Sequence, residues 1–166
     1  MRMLSLLTLF TFFGCVAFSL DDKPAPQNIQ ALKAEADQAV ARAQASDPKD
    51  CTRDCLEAAR KLVELSDQYF TAGNVQEAHA AMDNAGRLAV KAGQASVDTK
   101  KRRKDTEIGL RKLQKRISDI EQTLDVDDRP TVHQVAVNIS KARSDILMSM
   151  FDQPKKELGP EEKEKP

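Results

Sequence analysis

The sequence predicts an all-α protein in which antiparallel helical hairpins pack around one long central helix, as in a coiled-coil-like bundle. Two observations support this prediction. The 166 residues are 31% charged, 40% hydrophobic and only 4% aromatic, and the abundant Ala, Leu, Lys, Glu and Gln favour helices over strands. Apolar residues also recur at alternating steps of three and four along most of the chain, which is the spacing of one helical face.

The first 19 residues are expected to be a signal peptide rather than part of the fold. Arg2 is followed by an almost wholly apolar stretch at 3–16, and the small residues Ala17 and Ser19 stand where a signal peptidase would read them. The sequence therefore predicts an exported protein, periplasmic or secreted, that begins at Leu20 after cleavage.

Two alternatives to cleavage stay open at the N-terminus. About 18 apolar residues are just enough to cross a bilayer, so the segment could remain as a membrane anchor. Residues 12–15, Phe-Phe-Gly-Cys, also resemble a bacterial lipoprotein box in which Cys15 would carry the lipid, although the usual aliphatic residue three places before the cysteine is missing.

The first part of the mature chain predicts a flexible lead-in and two helices. Residues 20–27 are polar and contain two prolines, which favours an irregular segment. Apolar spacing predicts a helix at about 28–45 and another at about 51–70, separated by Ser-Asp-Pro. Gly73 then marks a tight turn, because glycine readily takes the left-handed conformation that ends a helix.

The third helix is expected to be long. From Met82 to Leu124 the 3–4 alternation is unbroken and no proline interrupts it, which favours a continuous or gently kinked helix over 74–124. The alternative is a break near Gly93, where helix propensity drops by about 1 kcal/mol.

The last helix is expected at about 130–151, because Pro130 suits the first turn of a helix. A short connection between two apolar stripes predicts that this helix folds back on the end of the long one. These four helices make one helical domain, 28–152. The charged, proline-bearing tail at 153–166 is too poor in apolar residues to fold and is expected to be disordered.

The predicted hairpin at about residues 59–92 has a distinctive pattern of large and small residues, a turn glycine and an alanine-rich second helix. The pattern is formed by Leu62, Leu65, Ser66, Tyr69, Gly73, Ala78, Met82 and Ala85. In type, these eight positions resemble a single tetratricopeptide repeat. The resemblance implies a partner protein or peptide bound on the inner face of the first helix, which carries Arg60, Val63, Asp67 and Phe70. Members that capture a C-terminal carboxylate have lysine and asparagine where this chain has Val63 and Asp67, and the chain departs from them there.

The chain is also similar, more loosely, to a family of short exported bacterial helical proteins of unknown function. The shared features are the Asp-Asp-Arg-Pro turn at 127–130 and an ending with Arg143 and Met150-Phe151. This resemblance implies no activity.

A basic stretch at 100–116 suggests a different kind of partner. It has nine cations, five of them consecutive, against Asp105 and Glu107, a net charge of +7. The consecutive cations are the candidate anion-binding residues: Lys100, Lys101, Arg102, Arg103 and Lys104. An anionic membrane surface or a polysaccharide would suit them, whereas the export signal and the absence of nearby aromatics disfavour nucleic acid. The alternative is a solvated helical surface without a partner.

Cys51 and Cys55 are candidates for a disulfide in an oxidising compartment, because residues four apart on a helix share one face. Two semi-buried free thiols are the alternative. A metal site would need two more ligands, and only His79 and His133 could supply nitrogen, so no metal is expected.

The sequence offers little catalytic chemistry. It has two histidines, six glycines and no tryptophan, and no catalytic triad, phosphate loop or paired carboxylates stand out. We expect no enzymatic activity and no cofactor. The main hypothesis is an exported scaffold or adaptor that binds a protein or peptide. The alternatives are a binder of anionic surfaces through 100–116, and a structural coiled-coil homo-oligomer.

Overall fold

The computed structural model describes residues 26–47 and 50–151, and every regular element in these ranges is an α-helix, so the all-α prediction is confirmed. The five helices are α1 Pro26–Ala45, α2 Cys51–Thr71, α3 Val75–Thr99, α4 Arg103–Thr123 and α5 Arg129–Phe151. Residues 26–27 of the expected lead-in belong to α1. The predicted signal peptide with Cys15, the rest of the lead-in and the charged tail from 153 lie outside the described residues. None of the five helices is apolar enough over 18 residues to cross a membrane.

The predicted 3–4 spacing identifies the core correctly. Eleven of the thirteen spaced positions from Met82 to Leu124 are buried, the exceptions being Thr99 and Arg103. In α5 all five spaced positions from Val132 to Ile146 are buried. Among the described side chains of α1, Ala36, Ala39 and Ala43 are fully buried, and Ile29, Leu32 and Val40 are partly buried against the core.

Cross-helix contacts define two hairpins that stack side by side. α2 with α3 forms the first hairpin and α4 with α5 the second; α2 also packs on α4, and α3 packs on α5. Leu56 lies against Gly109 and Asp67 pairs with Arg116, so α2 and α4 run in the same direction. α1 packs only on α2, in the opposite direction, with Glu35 paired to Lys61 at 2.7 Å.

The turn between α2 and α3 follows the prediction at Gly73. Its φ of +79° lies in the left-handed region. The Gly73 amide donates to the Phe70 carbonyl at 3.0 Å and the Asn74 amide donates to the Tyr69 carbonyl at 2.8 Å. These two bonds satisfy carbonyls that would otherwise be left free at a helix end, as in a Schellman motif.

The continuous helix expected over 74–124 is wrong. α3 ends at Thr99 and α4 begins at Arg103, and the two residues that turn the chain, Lys100 and Arg102, have φ values of 55° and 53°. The alternative break near Gly93 is also wrong, since Gly93 lies inside α3. The bundle is therefore made of two hairpins and a flanking helix, without a long central helix.

Burial explains why the chain breaks where no glycine or proline is present. Each left-handed residue costs about 1–2 kcal/mol. The break lets α4 return along α2 and α5 and bury four large side chains, Leu110, Leu113, Ile117 and Ile120. Each of these contributes about 1.5–3 kcal/mol on burial. The gain therefore exceeds the strain of two left-handed residues. The Ser96 hydroxyl also donates to the Lys101 carbonyl at 3.0 Å and holds the turn.

α3 and α5 approach closely along a line of small residues. A Cβ atom placed on Gly86 would lie 2.8 Å from the Val135 Cγ1 atom, and one placed on Gly93 would lie 3.2 Å from the Ala142 Cβ atom. Both pairs of positions are seven residues apart on their helices, so the same close contact is made twice along this interface.

Candidate functional site: the groove between α2 and α4

A groove of about 510 Å³ runs between α2 and α4. The α2 side contributes Thr52, Arg53, Leu56, Glu57, Arg60, Val63 and Glu64, and the α4 side contributes Arg102, Asp105, Thr106, Gly109, Lys112, Leu113 and Arg116. It forms because these two parallel helices touch only along a narrow line. Since α4 could not lie beside α2 without the turn at 100–102, the helix break creates the groove.

The floor of the groove is apolar. Val63 and Leu113 are buried members of the core, and Leu56 is half-buried. Gly109 allows Leu56 to approach α4, because a Cβ atom at Gly109 would stand 3.0 Å from the Leu56 Cδ1 atom. The exposed part of Leu56 therefore lies where an apolar side chain of a partner could contact it.

The rim of the groove is predominantly basic. Five cations line it, Arg53, Arg60, Arg102, Lys112 and Arg116, against three acidic residues, Glu57, Glu64 and Asp105. Within the described residues no carboxylate lies within 4.0 Å of the charged groups of Arg60, Arg102 or Lys112. These three cations are thus available to an external anion.

Arg53 and Arg116, the other two rim cations, are paired with acidic residues of the protein itself. The Arg116 guanidinium donates to Asp67 at 2.6 Å and links α4 to α2. Arg53 donates to Asp54 at 3.0 Å. The pKa of Asp54 is lowered, first by a hydrogen bond from the Ser46 hydroxyl and then by the bond from Arg53, while the same bond raises the pKa of Arg53. Arg53 and Arg116 therefore have less charge available for a ligand than the three remaining rim cations.

No protein-family model, curated protein or solved structure matches the chain. Its function must therefore be argued from the groove and the other surfaces themselves.

Two of the four predicted partner residues lie in the groove. Arg60 is exposed on its rim and Val63 is buried in its floor. Asp67 is engaged by Arg116 instead. Phe70 does not line the groove; its ring lies edge-on to the His79 ring, with 5.2 Å between centroids.

The structure separates the five consecutive cations into different environments. Arg102 lines the groove, and Lys100, Lys101 and Lys104 are exposed. Arg103 is half-buried, and its guanidinium donates to the Ser149 carbonyl in α5. Arg103 therefore acts as a link between helices rather than as a free cation.

Cys51 and Cys55 lie in the first two turns of α2 as buried free thiols. Their sulfur atoms are 3.2 Å apart, compared with about 2.05 Å for a disulfide bond, so the structure shows the reduced pair and oxidation stays a prediction. Burial, followed by the hydrogen bond with Cys51, raises the pKa of Cys55 to about 12. The Cys55 thiol is consequently protonated, and poorly reactive, at neutral pH.

Some polar contacts were not foreseen from the sequence. Arg143 of α5 donates to Glu107 at 2.8 Å and to Gln114 at 2.6 Å, and His79 lies 3.0 Å from Asp128. His79 is half-buried. Among the described residues no three His, Cys, Asp or Glu side chains come together as a metal site. The contacts of Arg143 and His79 join residues that are far apart in the sequence, so a local sequence pattern cannot predict them.

Proposed function

We propose that the protein is an exported, non-enzymatic helical adaptor that binds a segment of a partner protein in the groove between α2 and α4. The observation that carries this proposal is the combination, in one groove, of the apolar floor at Leu56, Val63 and Leu113 with the basic rim. A segment with an apolar face flanked by acidic residues would be complementary to both.

The arrangement of the hairpins supports a peptide ligand. Stacked helical hairpins form extended concave surfaces that bind partner segments. In this bundle α2 and α4, the first helices of the two hairpins, lie side by side and line the groove. Arg60 and Val63, the groove residues implied by the tetratricopeptide resemblance, face Lys112 and Leu113 across it. Both sequence-based hypotheses, a peptide groove and a basic stretch, thus refer partly to the same surface.

The rim provides a test that does not disturb the core. Val63 is only 1% exposed, so Val63→Glu would unfold the protein and say nothing about binding. Arg60 and Lys112 are both exposed, and the double variant R60E/K112E reverses two rim charges. The matched control R87E/K141E reverses two exposed cations beside α3 and α5, outside the groove.

A photo-crosslinking amino acid at position 60 would identify the bound segment in the native host. The crosslinked segment is then synthesised, and its affinity is measured by calorimetry. We expect R60E/K112E to weaken binding by roughly tenfold or more, because like charges would face the acidic segment, and R87E/K141E to leave the affinity unchanged. Equal affinities for both variants, or a crosslinked segment without acidic residues, would contradict the proposal.

A further inference from the structure

We propose a second interaction surface at one end of the bundle, which docks on an anionic lipid bilayer. It is formed by the C-terminal end of α5 and by the turn between α3 and α4, and we call it the basic–apolar tip: Leu147, Met148, Phe151, Lys100, Lys101 and Lys104. The tip does not depend on the proposed peptide groove, because none of these residues lines that groove.

The apolar half of the tip is unusually exposed for residues of this size. Leu147, Met148 and Phe151 expose 39%, 62% and 84% of their surface. Leu147 and Phe151 are four residues apart and thus share one face of the last two turns of α5. In the described residues only three other large apolar side chains are this exposed, Val90, Val126 and Val137. Clustered exposure of this kind marks an interaction surface, whereas scattered exposure does not.

The basic half of the tip comes from the helix break. Lys100 and Arg102 have left-handed backbones, so the three residues of the turn do not follow a single helical face. Lys100, Lys101 and Lys104 are all exposed, and no carboxylate in the described part of the chain lies within 4.0 Å of their amino groups. The two nearest acidic residues along the chain are Asp98, which accepts a hydrogen bond from Gln94 at 2.7 Å, and Asp105, which lines the groove between α2 and α4.

Contacts between α4 and α5 bring the two halves together. Arg103 donates to the Ser149 carbonyl, and Arg143 pairs with Glu107. Leu147 lies one turn after Arg143 and Arg103 lies one turn before Glu107, so the last turns of α5 stand beside the first turn of α4. The exposed apolar residues and the lysines therefore lie at the same end of the bundle.

A lipid surface is the partner that uses both halves. Apolar side chains enter the boundary between headgroups and acyl chains, while adjacent lysines attract anionic headgroups, and two such contributions together give stable surface binding. A soluble polyanion would need only the lysines and would leave Met148 and Phe151 unused.

The absence of tryptophan from the chain allows a direct measurement. Phe151→Trp is introduced into residues 20–166, which retain the whole described bundle, and tryptophan emission is followed on adding vesicles with 30% phosphatidylglycerol in phosphatidylcholine. We expect a blue shift with these vesicles, weakened by added salt, and none with pure phosphatidylcholine. An unchanged emission spectrum with the anionic vesicles, or the same shift with dextran sulfate alone, would overturn the proposal.

Paired variants separate the two halves, with vesicle co-sedimentation as the measurement. We expect K100Q/K101Q/K104Q to weaken binding by about fivefold for each lysine removed, and M148S/F151S to weaken it by about tenfold or more. The controls remove similar groups elsewhere on the surface: R87Q/K91Q/K141Q for charge and V126S/V137S for apolar area. The proposal fails if a control weakens binding as much as its partner variant, or if M148S/F151S binds like the original protein.

Discussion

At the scale of single residues, Gly86 controls how closely α3 and α5 pack. An alanine inside a helix is normally about 1 kcal/mol better than glycine. At this position its Cβ atom would stand 2.8 Å from the Val135 Cγ1 atom. Valine in a helix has essentially one χ1 rotamer and cannot turn away. We therefore expect Gly86→Ala to lower the free energy of unfolding by roughly 1 kcal/mol, measured by urea denaturation, since overpacking costs about 1–3 kcal/mol.

A second glycine serves as the control for this steric argument. Gly109 faces the Leu56 Cδ1 atom at 3.0 Å, but leucine is longer and its end is partly exposed, so it is able to move. Gly109→Ala should therefore keep most of the gain in helix propensity and be more stable than Gly86→Ala. The double variant G86A/V135A should be more stable than the sum of the two single effects predicts. A stabilised Gly86→Ala protein would show that the two helices do not pack as described.

At the scale of elements, glycine substitutions in the turn between α3 and α4 should raise the free energy of unfolding, whereas in a continuous helix they would lower it. Lys100 and Arg102 have positive φ values, and replacing either by glycine removes a strain of about 1–2 kcal/mol at an entropic cost of about 0.5–1 kcal/mol. We expect Lys100→Gly and Arg102→Gly each to raise the free energy of unfolding by roughly 0.5 kcal/mol. In a continuous helix each would lower it by about 1 kcal/mol.

Lys101 is the internal control for that experiment. It lies between the two left-handed residues but does not have a positive φ. Lys101→Gly therefore only adds backbone freedom to the unfolded chain and should lower stability. If all three glycine variants lose stability in denaturant titrations, the break at 100–102 is wrong.

The same turn shows why sequence patterns predicted the core well and the helix ends less well. The 3–4 spacing from Met82 to Leu124 continues through the break. Ser96 before the break and Thr106 after it both belong to this series, and both are buried. Hydrophobic spacing reports which residues are buried, and it cannot distinguish a straight helix from two helices that continue in phase. Gly73 and the start of α5 were predictable because they have local signals, a left-handed glycine and a proline at the first turn.

At the scale of the whole molecule, α1 is the least integrated helix. It packs only on α2, and among its described side chains three alanines are fully buried. We expect its amide hydrogens to exchange through openings that cost less free energy than those of α3, because α1 packs on one helix whereas α3 packs on three. Native-state hydrogen exchange measures this difference. Equal opening free energies in α1 and α3 would mean that all five helices unfold as one unit.

The groove and the tip were only partly predictable because both are made by tertiary contacts. The charges at 100–116 and the candidate residues on α2 were visible in the sequence, but nothing local indicated that Arg60 and Lys112 line the same groove. Nor does helical spacing indicate that Phe151 stays exposed at the end of the bundle where α4 begins. Both surfaces depend on how far the chain turns at 100–102, which the residue types there do not reveal.

The doubled close contact between α3 and α5 has a consequence for how this fold changes over evolution. A Cβ atom at Gly86 would clash with Val135, and one at Gly93 would make a tight contact with Ala142. In a homologous chain, a larger residue at position 86 should be accompanied by a smaller one at position 135. Positions 93 and 142 should be related in the same way, so the two pairs should each covary in size. Such paired changes would identify distant relatives of this bundle even where the rest of the sequence has diverged.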